Sequence, residues 1–391
     1  MTPVYLDHAA ATPLDPEVAK VMARFLYQDF ANASSLYGAA RVTKAGLEGA
    51  RAQVASVLGA RLTEIVWTSG GTESVNLAIQ GVLRSHPKAS WVTTAIEHDA
   101  VLSCREPMEH NDHKVITVGV KPSGIIDANA LVAAIDDSTV LVSVMLANNE
   151  IGTIQPVGEI GKHIEVLRRD RQKRGVTLPL YLHTDACQAA GYLDLSVTRL
   201  GVDLLSLNGS KIYGPRGSGL LYVKYGTKLE PLIYGGGQER GRRSGTENVA
   251  AAVGLATALE LAQQQRGPEG KRLAGLRDDL LKKLETSLPS LILNGEMKHR
   301  LPGNLNLSFP GLDGQSLVLY LDQAGILAST GSACSSGDDE PSHVLLAIGR
   351  SKSEATASLR LTMGHETTQE QIDYVAKKLP PIVARLATID Q

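Results

Sequence analysis

Between Tyr181 and Gly219 two short apolar runs, YLHT and VDLLSL, each break off into polar residues. TDACQAAG follows the first and NGSKIYGPRG the second. Such runs read as buried strands of an α/β sheet, whose ligands bind beyond the carboxyl ends of the strands. Asp185, Gln188, Asn208, Ser210 and Lys211 are therefore expected around one crevice. A lysine and an aspartate delivered together suit a Schiff-base site. The amine condenses with an aldehyde cofactor, and the carboxylate keeps a pyridine nitrogen protonated so that the ring accepts electrons. The same residues can be read as a solvated lysine in a glycine-rich turn, with Asp185 as a helix cap.

The segments before this stretch repeat one pattern. After an extended lead-in over 1–15, broken by Pro3 and Pro13, a helix is expected over 16–27. A second helix, capped by Ser34 or Ser35, runs to about Leu58. The β run Ile65 to Thr68 enters Ser-Gly-Gly-Thr, and apolar residues at helical spacing follow (Val75, Leu77, Ala78, Val82). Glycine at a strand-to-helix turn lets backbone N–H groups approach a phosphate, and Thr72 beside Gly71 adds a hydroxyl; a plain capped turn looks the same. SWVTTAIEH brings His98 to a strand end, where an imidazole can lie on a pyridine ring or serve as an ordinary polar residue. TVLVSVMLANNE brings Asn148 and Asn149 to another strand end, as ligand contacts or as turn formers. Strands near 65, 91, 115, 140, 181 and 203 thus alternate with helices, the pattern of a mostly parallel sheet covered on both faces.

A chain of 391 residues exceeds one ordinary core, so two domains are expected. One comprises residues 16–262. The second, a smaller α+β unit, comprises 1–15 with 263–391. Between them, QQQRGPEG (263–270) is expected to be a hinge separating a helix that ends near Gln264 from one over 270–287. A net charge of −2 gives no basic footprint for nucleic acid or anionic membrane, and no apolar run approaches the ~20 residues of a membrane helix. The N-terminus has no signal-peptide pattern, and Cys104, Cys187 and Cys334 lie far apart without a CxxC. A cytoplasmic protein without a bound metal is the expectation.

Two residues in the C-terminal part stand out. Cys334 sits in TGSACSSGDDEPSH, among small and acidic residues from which no core could be built; a thiol there suits a nucleophile or sulfur carrier. Arg360 interrupts the apolar and hydroxyl run ASLRLTMG, so its guanidinium needs an anion, either a substrate carboxylate or an internal ion-pair partner. The glycine- and arginine-rich GGGQERGRRSGTEN suits an anion site or an exposed loop equally.

Taken in order, YLDHAAATPLD, TSGGTESVNLAI, EHDAV, NNEIG, TDACQAAG, SKIYGPRG, GGGQERGRRSGT, TGSACSSG and SLRLTMG resemble the pyridoxal-phosphate cysteine desulfurases of the NifS/IscS type, within the class V aminotransferase-like group. The resemblance covers nearly the whole chain. It implies a homodimer of fold type I, with a mostly parallel seven-stranded sheet in the large domain. It further implies that Lys211 carries pyridoxal 5′-phosphate and moves the substrate Cα proton. Asp185 would pair with the ring nitrogen, Gln188 with the ring oxygen, and His98 would stack on the ring. Gly71, Thr72, Asn208 and Ser210 would hold the phosphate, with Thr246 reaching it from the other subunit. Asn149 would serve both cofactor and substrate, and Arg360, with Asn32 nearby, would bind the carboxylate of L-cysteine. Cys334 would take the sulfur as a persulfide, leaving alanine, and pass it to an acceptor protein for iron–sulfur clusters or thiolation.

The chain departs from that family at Asn208 (usually Ser or Thr), at Ser210 (usually His), and at Asn32–Tyr37, which reads NASSLY in place of Asn-Pro-Ser-Ser-x-His. Loss of a cation at 210 implies weaker cofactor retention, because a charge-assisted hydrogen bond is roughly twice as strong as a neutral one. A selenocysteine lyase or another class V enzyme, and a sulfur-relay platform with slow turnover of its own, are the competing expectations.

Overall fold

A computed structural model of the chain describes residues 3–330 and 340–389. Its strands in chain order are β1 (Val4–Tyr5), β2 (Ile65–Thr68), β3 (Ser90–Thr94), β4 (Lys114–Val118), β5 (Thr139–Ser143), β6 (Tyr181–Asp185), β7 (Leu204–Asn208) and β8 (Gly219–Val223). They continue with β9 (Ile292–Leu293), β10 (Asn304–Ser308), β11 (Ile326–Leu327) and β12 (Ser358–Thr362). Seven of these form one sheet in the order β2-β8-β7-β6-β5-β3-β4. All neighbouring pairs from β7 across to β4 are parallel; β8 alone runs against its two neighbours, β2 and β7. The mostly parallel α/β sheet expected from the alternation is therefore present, with the seven strands that the resemblance implies.

The strands are apolar on both sides because helices cover both sides. Successive side chains alternate faces. Val92, Val142, Leu182, Leu205 and Leu207 pack into one apolar cluster, and Trp91, Leu141, Leu204 and Leu221 into another. One polar residue bridges the sheet interior. His183, fully buried, meets the Ser143 hydroxyl through Nδ1 (2.8 Å) and the Ser206 hydroxyl through Nε2 (3.0 Å), tying β5, β6 and β7 together. Burial pushes its pKa down to about 4, so the ring is neutral and both nitrogens stay satisfied.

Three helices near the N-terminus need naming: α1 (Pro16–Tyr27), α2 (Gly38–Leu58) and α3 (Gly71–Arg84). Asp15 caps α1 by accepting from Glu17 N–H, with Pro16 in the first turn, where its missing N–H costs nothing. Neither Ser34 nor Ser35 caps α2: Tyr37 is the N-cap, without a side-chain bond. The Ser34 N–H is instead taken by Asn32 Oδ1 in a local turn, which ends before the helix begins.

The expected hinge at 263–270 is helix. A 39-residue helix, Val249–Ser287, runs through it without interruption. Its first half buries Leu255, Leu259 and Ala262 in the cluster beneath the seven-stranded sheet. Its second half buries Leu273, Leu280 and Leu284 in a separate cluster with Leu305, Leu307, Leu359 and Leu361 of the antiparallel β12-β10-β9 sheet. Gly267 and Pro268 are exposed, so the carbonyl that proline leaves without an intrahelical donor is not shut away in a core. Two buried faces outweigh a breaker of about 3 kcal/mol. The composition shift marks the change of cluster, not a break in the chain's path.

The segment 235–246 turns on two residues in the left-handed region, Glu239 (φ 49°) and Arg240 (φ 59°). Such residues persist where neighbours over-determine them. Glu239 is gripped by the buried Arg51 of α2 in a two-pronged pair (2.7 and 2.9 Å) and accepts the Trp67 N–H at 3.1 Å. Removing one partner of such a pair leaves an uncompensated charge. Glu239→Ala is expected to lower unfolding free energy by roughly 3–5 kcal/mol in urea titration, and Arg51→Met with Glu239→Leu to recover part of the loss.

Candidate active site

β2, β3, β5, β6 and β7 all point the same way, so their carboxyl ends share one edge of the sheet. Beyond that edge lies a cavity of about 320 Å³, lined by Thr72 after β2, His98 after β3, Asn149 after β5, Asp185 at the end of β6 and Lys211 just past β7. That volume lies at the small end of ordinary ligand sites. Gly71, Gln188, Asn208 and Arg360 line it too, so most of the residues singled out in the sequence are brought together.

Local geometry explains each position. The Asp185 carboxylate accepts Cys187 N–H at 2.9 Å, which holds it at the strand terminus. His98 is the N-cap of the short helix Asp99–Leu102 and accepts Ala100 N–H on Nδ1 at 3.0 Å. An N–H can only donate, so the proton of this imidazole is assigned to Nε2. Lys211 closes a 3₁₀ turn over Gly209–Lys211, and its ammonium reaches the Ala10 carbonyl. Gly71 is required for space: a Cβ there would stand 2.8 Å from Cys187 Sγ and 3.3 Å from Asn208 Cβ.

Arg360 combines both expectations offered for it. It lines the cavity, and it is also held internally, donating to Asn149 O at 3.1 Å and to the Asp7 carboxylate at 2.8 Å. Three other residues fall elsewhere. Asn32 is exposed and spends its side chain on the Ser34 N–H. Thr246 lines a second cavity, of about 170 Å³, with Ser69 and Arg243. Ser210 does not line the main cavity; its hydroxyl turns back to Asn208 Oδ1 at 3.0 Å. Cys334 lies outside the described residues.

The lead-in was read as a simple extension, yet its Ala9 and Ala10 form part of the wall of the site. Ala9 O accepts Gln188 Nε2 at 3.0 Å, Ala10 O accepts Lys211, and Asp7 pairs with Arg360. No local periodicity signals such long-range contacts; the lone Asp amid LDHAAAT was the available hint. Cys187 lines the cavity too, and burial, ahead of the Asp185 charge, holds its thiol well above the usual range.

Glu97 was also missed. It is fully buried next to His98, and its Oε1 accepts the Thr94 hydroxyl (2.7 Å) and Met145 N–H (2.9 Å). Burial pushes its pKa up to about 8; the Asp185 charge adds to this, and the Met145 and Thr94 bonds oppose it. Glu150, equally buried, is held above the ordinary range by desolvation and accepts the Ser342 hydroxyl.

The donor set suits an aromatic aldehyde carrying an anion. An amine and a carboxylate stand on the walls, a flat imidazole forms another face, and a helix N-terminus with a cavity-facing hydroxyl closes one end. The space beside Gly71, which a side chain would fill, is part of the same cradle.

Comparison with known proteins gives a consistent result. The aminotransferase class-V family matches residues 4–375. Cysteine desulfurase IscS of Clostridium botulinum is 44% identical over 384 residues, covering 97% of this chain and 94% of that one. A solved NifS-like protein superposes with a TM-score of 0.90 at 34% identity, covering 98% of this chain and 100% of the other. The structure of SspA in complex with cysteine superposes at 0.78 with 34% identity, covering 92% and 98%.

Glu97 makes stability depend on pH. Below about pH 4.5 both folded and unfolded states hold its proton. Between there and about 8 the unfolded chain loses the proton while the fold keeps it, so stability falls as pH rises, and the loss is complete above 8. Glu97→Gln removes this dependence. Its unfolding free energy relative to the parent is expected to rise by on the order of 4 kcal/mol from pH 5 to pH 8, read from urea midpoints at the two pH values.

Proposed function

Because the chain belongs to the class-V aminotransferase family, and within it to the cysteine desulfurases, we propose that the cavity at the strand ends holds pyridoxal 5′-phosphate on Lys211 and takes L-cysteine as substrate. The chain is a cysteine desulfurase of fold type I. The observation that carries the site assignment is the convergence of Asp185, Lys211, Thr72 and Arg360 on one cavity.

When bound, the cofactor supplies an electron sink, its protonated ring taking up the pair released as substrate bonds break. The chain's residues do the remainder. Asp185 would pair with the ring nitrogen and keep its proton in place. Lys211 Nζ would provide the covalent attachment, and its free amine would remove the proton from the substrate Cα. His98 presents a neutral imidazole as one wall. Gln188, steadied by Ala9 O, would face the cofactor's ring oxygen. Arg360 binds the substrate carboxylate, and its bonds to Asn149 O and Asp7 hold the guanidinium in position beforehand.

Sulfur transfer is assigned to Cys334 from its sequence setting. Its thiolate forms an S–S bond to the substrate sulfur as the Cβ–S bond breaks. The electron pair passes to Cβ, which is protonated to the methyl group of alanine, and the sulfur remains as a persulfide. An acceptor protein, for iron–sulfur clusters or thiolation, then takes it in a cytoplasmic setting.

Several other features belong to this proposal. A homodimer, with Thr246 reaching the partner's cofactor, is supported by exposed apolar residues such as Tyr27 (78%), Phe30 (74%) and Leu36 (92%). Division into 16–262 and 1–15 with 263–391 is supported by the separate apolar cluster of the β12-β10-β9 sheet.

The test is incubation with L-cysteine, following alanine, sulfide and visible absorbance. Lys211→Ala is expected to lose at least ~10³-fold in alanine release. Cys334→Ser is expected to keep the cofactor's absorbance while losing persulfide and at least ~100-fold in turnover. Full turnover by Cys334→Ser would refute its part in the reaction.

A further inference from the structure

The residue before the lysine does not reach the cavity, and what it does instead is determined by one hydrogen-bonding constraint. Asn208 Oδ1 accepts two bonds from Ser210, one from the backbone N–H (2.9 Å) and one from the side-chain hydroxyl (3.0 Å). The backbone N–H is a donor and nothing else, so the atom facing it must be the amide oxygen. With the oxygen end fixed, the hydroxyl donates as well, and the NH2 end must point the opposite way. That opposite side is the turn at the start of α3: a Cβ on Gly71 would lie 3.5 Å from Asn208 Nδ2. Asn208, Gly71 and Thr72 line the same cavity, whereas Ser210 does not.

Charge at this end is arranged consistently. The one carboxylate in the first turn of α3, Glu73, accepts from Ser69 N–H and its hydroxyl and is paired with Arg243 at 2.9 Å. Its charge is compensated, and the helix end remains receptive to an anion.

We propose that Ser210 is a positioning residue that locks the Asn208 amide with its NH2 group toward the Gly70–Thr72 turn, so that Asn208 donates to the phosphate of the cofactor. The inference rests on the pyridoxal-phosphate assignment above and goes beyond it. The Ser-for-His departure next to Lys211 exchanges a direct contact for an indirect one. The contact itself is made by an amide prepared before the ligand arrives, so little rotamer freedom is lost on binding.

The experiment compares the apoprotein's dissociation constants for pyridoxal 5′-phosphate and for pyridoxal by equilibrium dialysis. Both aldehydes attach to Lys211, so the ratio of the two constants isolates the phosphate. Asn208→Asp keeps the shape and still accepts both Ser210 bonds, but it turns an oxygen toward the anion. The preference for the phosphorylated aldehyde is expected to fall about 100-fold or more. Ser210→Ala is expected to lower it about 3- to 10-fold, Ser210→Thr to restore it, and Ser210→Ala in an Asn208→Ala background to change nothing further. An unchanged preference in Asn208→Asp overturns the proposal, as does an effect of Ser210→Ala that persists without Asn208. Failure of the parent protein to bind either aldehyde would instead overturn the cofactor assignment.

Discussion

Parallel pairing from β7 across to β4 is the constraint on which the site depends. Strands that run the same way leave their last residues on one edge, and connections return the chain to the opposite edge each time. Polar residues at those ends cannot be buried in the sheet, so they gather around one opening. The amine of Lys211 and the carboxylate of Asp185 come from adjacent strands and need no folding of one loop onto another. The reversed strand β8 serves the same end. It begins at Gly219, where a Cβ would come within 2.5 Å of the Gly70 backbone, and so the turn leading into α3 can sit tightly against it.

One wall of the opening comes from outside the sheet. Ala9 and Ala10 line it, and Asp7, Ala9 and Ala10 are bonded to Arg360, Gln188 and Lys211, three other residues of the lining. These bonds fix side chains whose own elements leave them several rotamers. Arg360 is a case in point: Asp7 and Asn149 O take two of the bonds of a guanidinium buried on β12.

Legibility of the fold and site followed the range of the interactions. α1 and α3 were readable because their boundaries depend on local periodicity and turns. Asp185, Lys211 and Thr72 were readable because strand ends are marked by an abrupt change of polarity. The helix through 263–270 was not, since Gly267 and Pro268 argue locally for a break and the opposing evidence is burial against two distant clusters. Asp7, Cys187 and Glu97 were missed for the same reason: each has its meaning through a partner on another element. Ser210 was expected on the phosphate, and in the structure its hydroxyl meets Asn208 Oδ1. Which way a hydroxyl turns depends on which acceptor lies beside it, and only the 3₁₀ turn brings Asn208 Oδ1 there.

The long helix Val249–Ser287 carries a mechanical consequence. It is a strut about 60 Å long, at 1.5 Å per residue, cemented at each end in a different oily interior. A rod held in that way cannot slide, so relative displacement of the two interiors has to be taken up by bending. Compliance is greatest around Pro268, where one rung of the ladder is missing and solvent surrounds the backbone. The antiparallel sheet that bears Arg360 is packed against the far end of that rod. Arg360 is tied to Asn149 O and Asp7 across the junction, so the two interiors are joined at the cavity as well as through the rod.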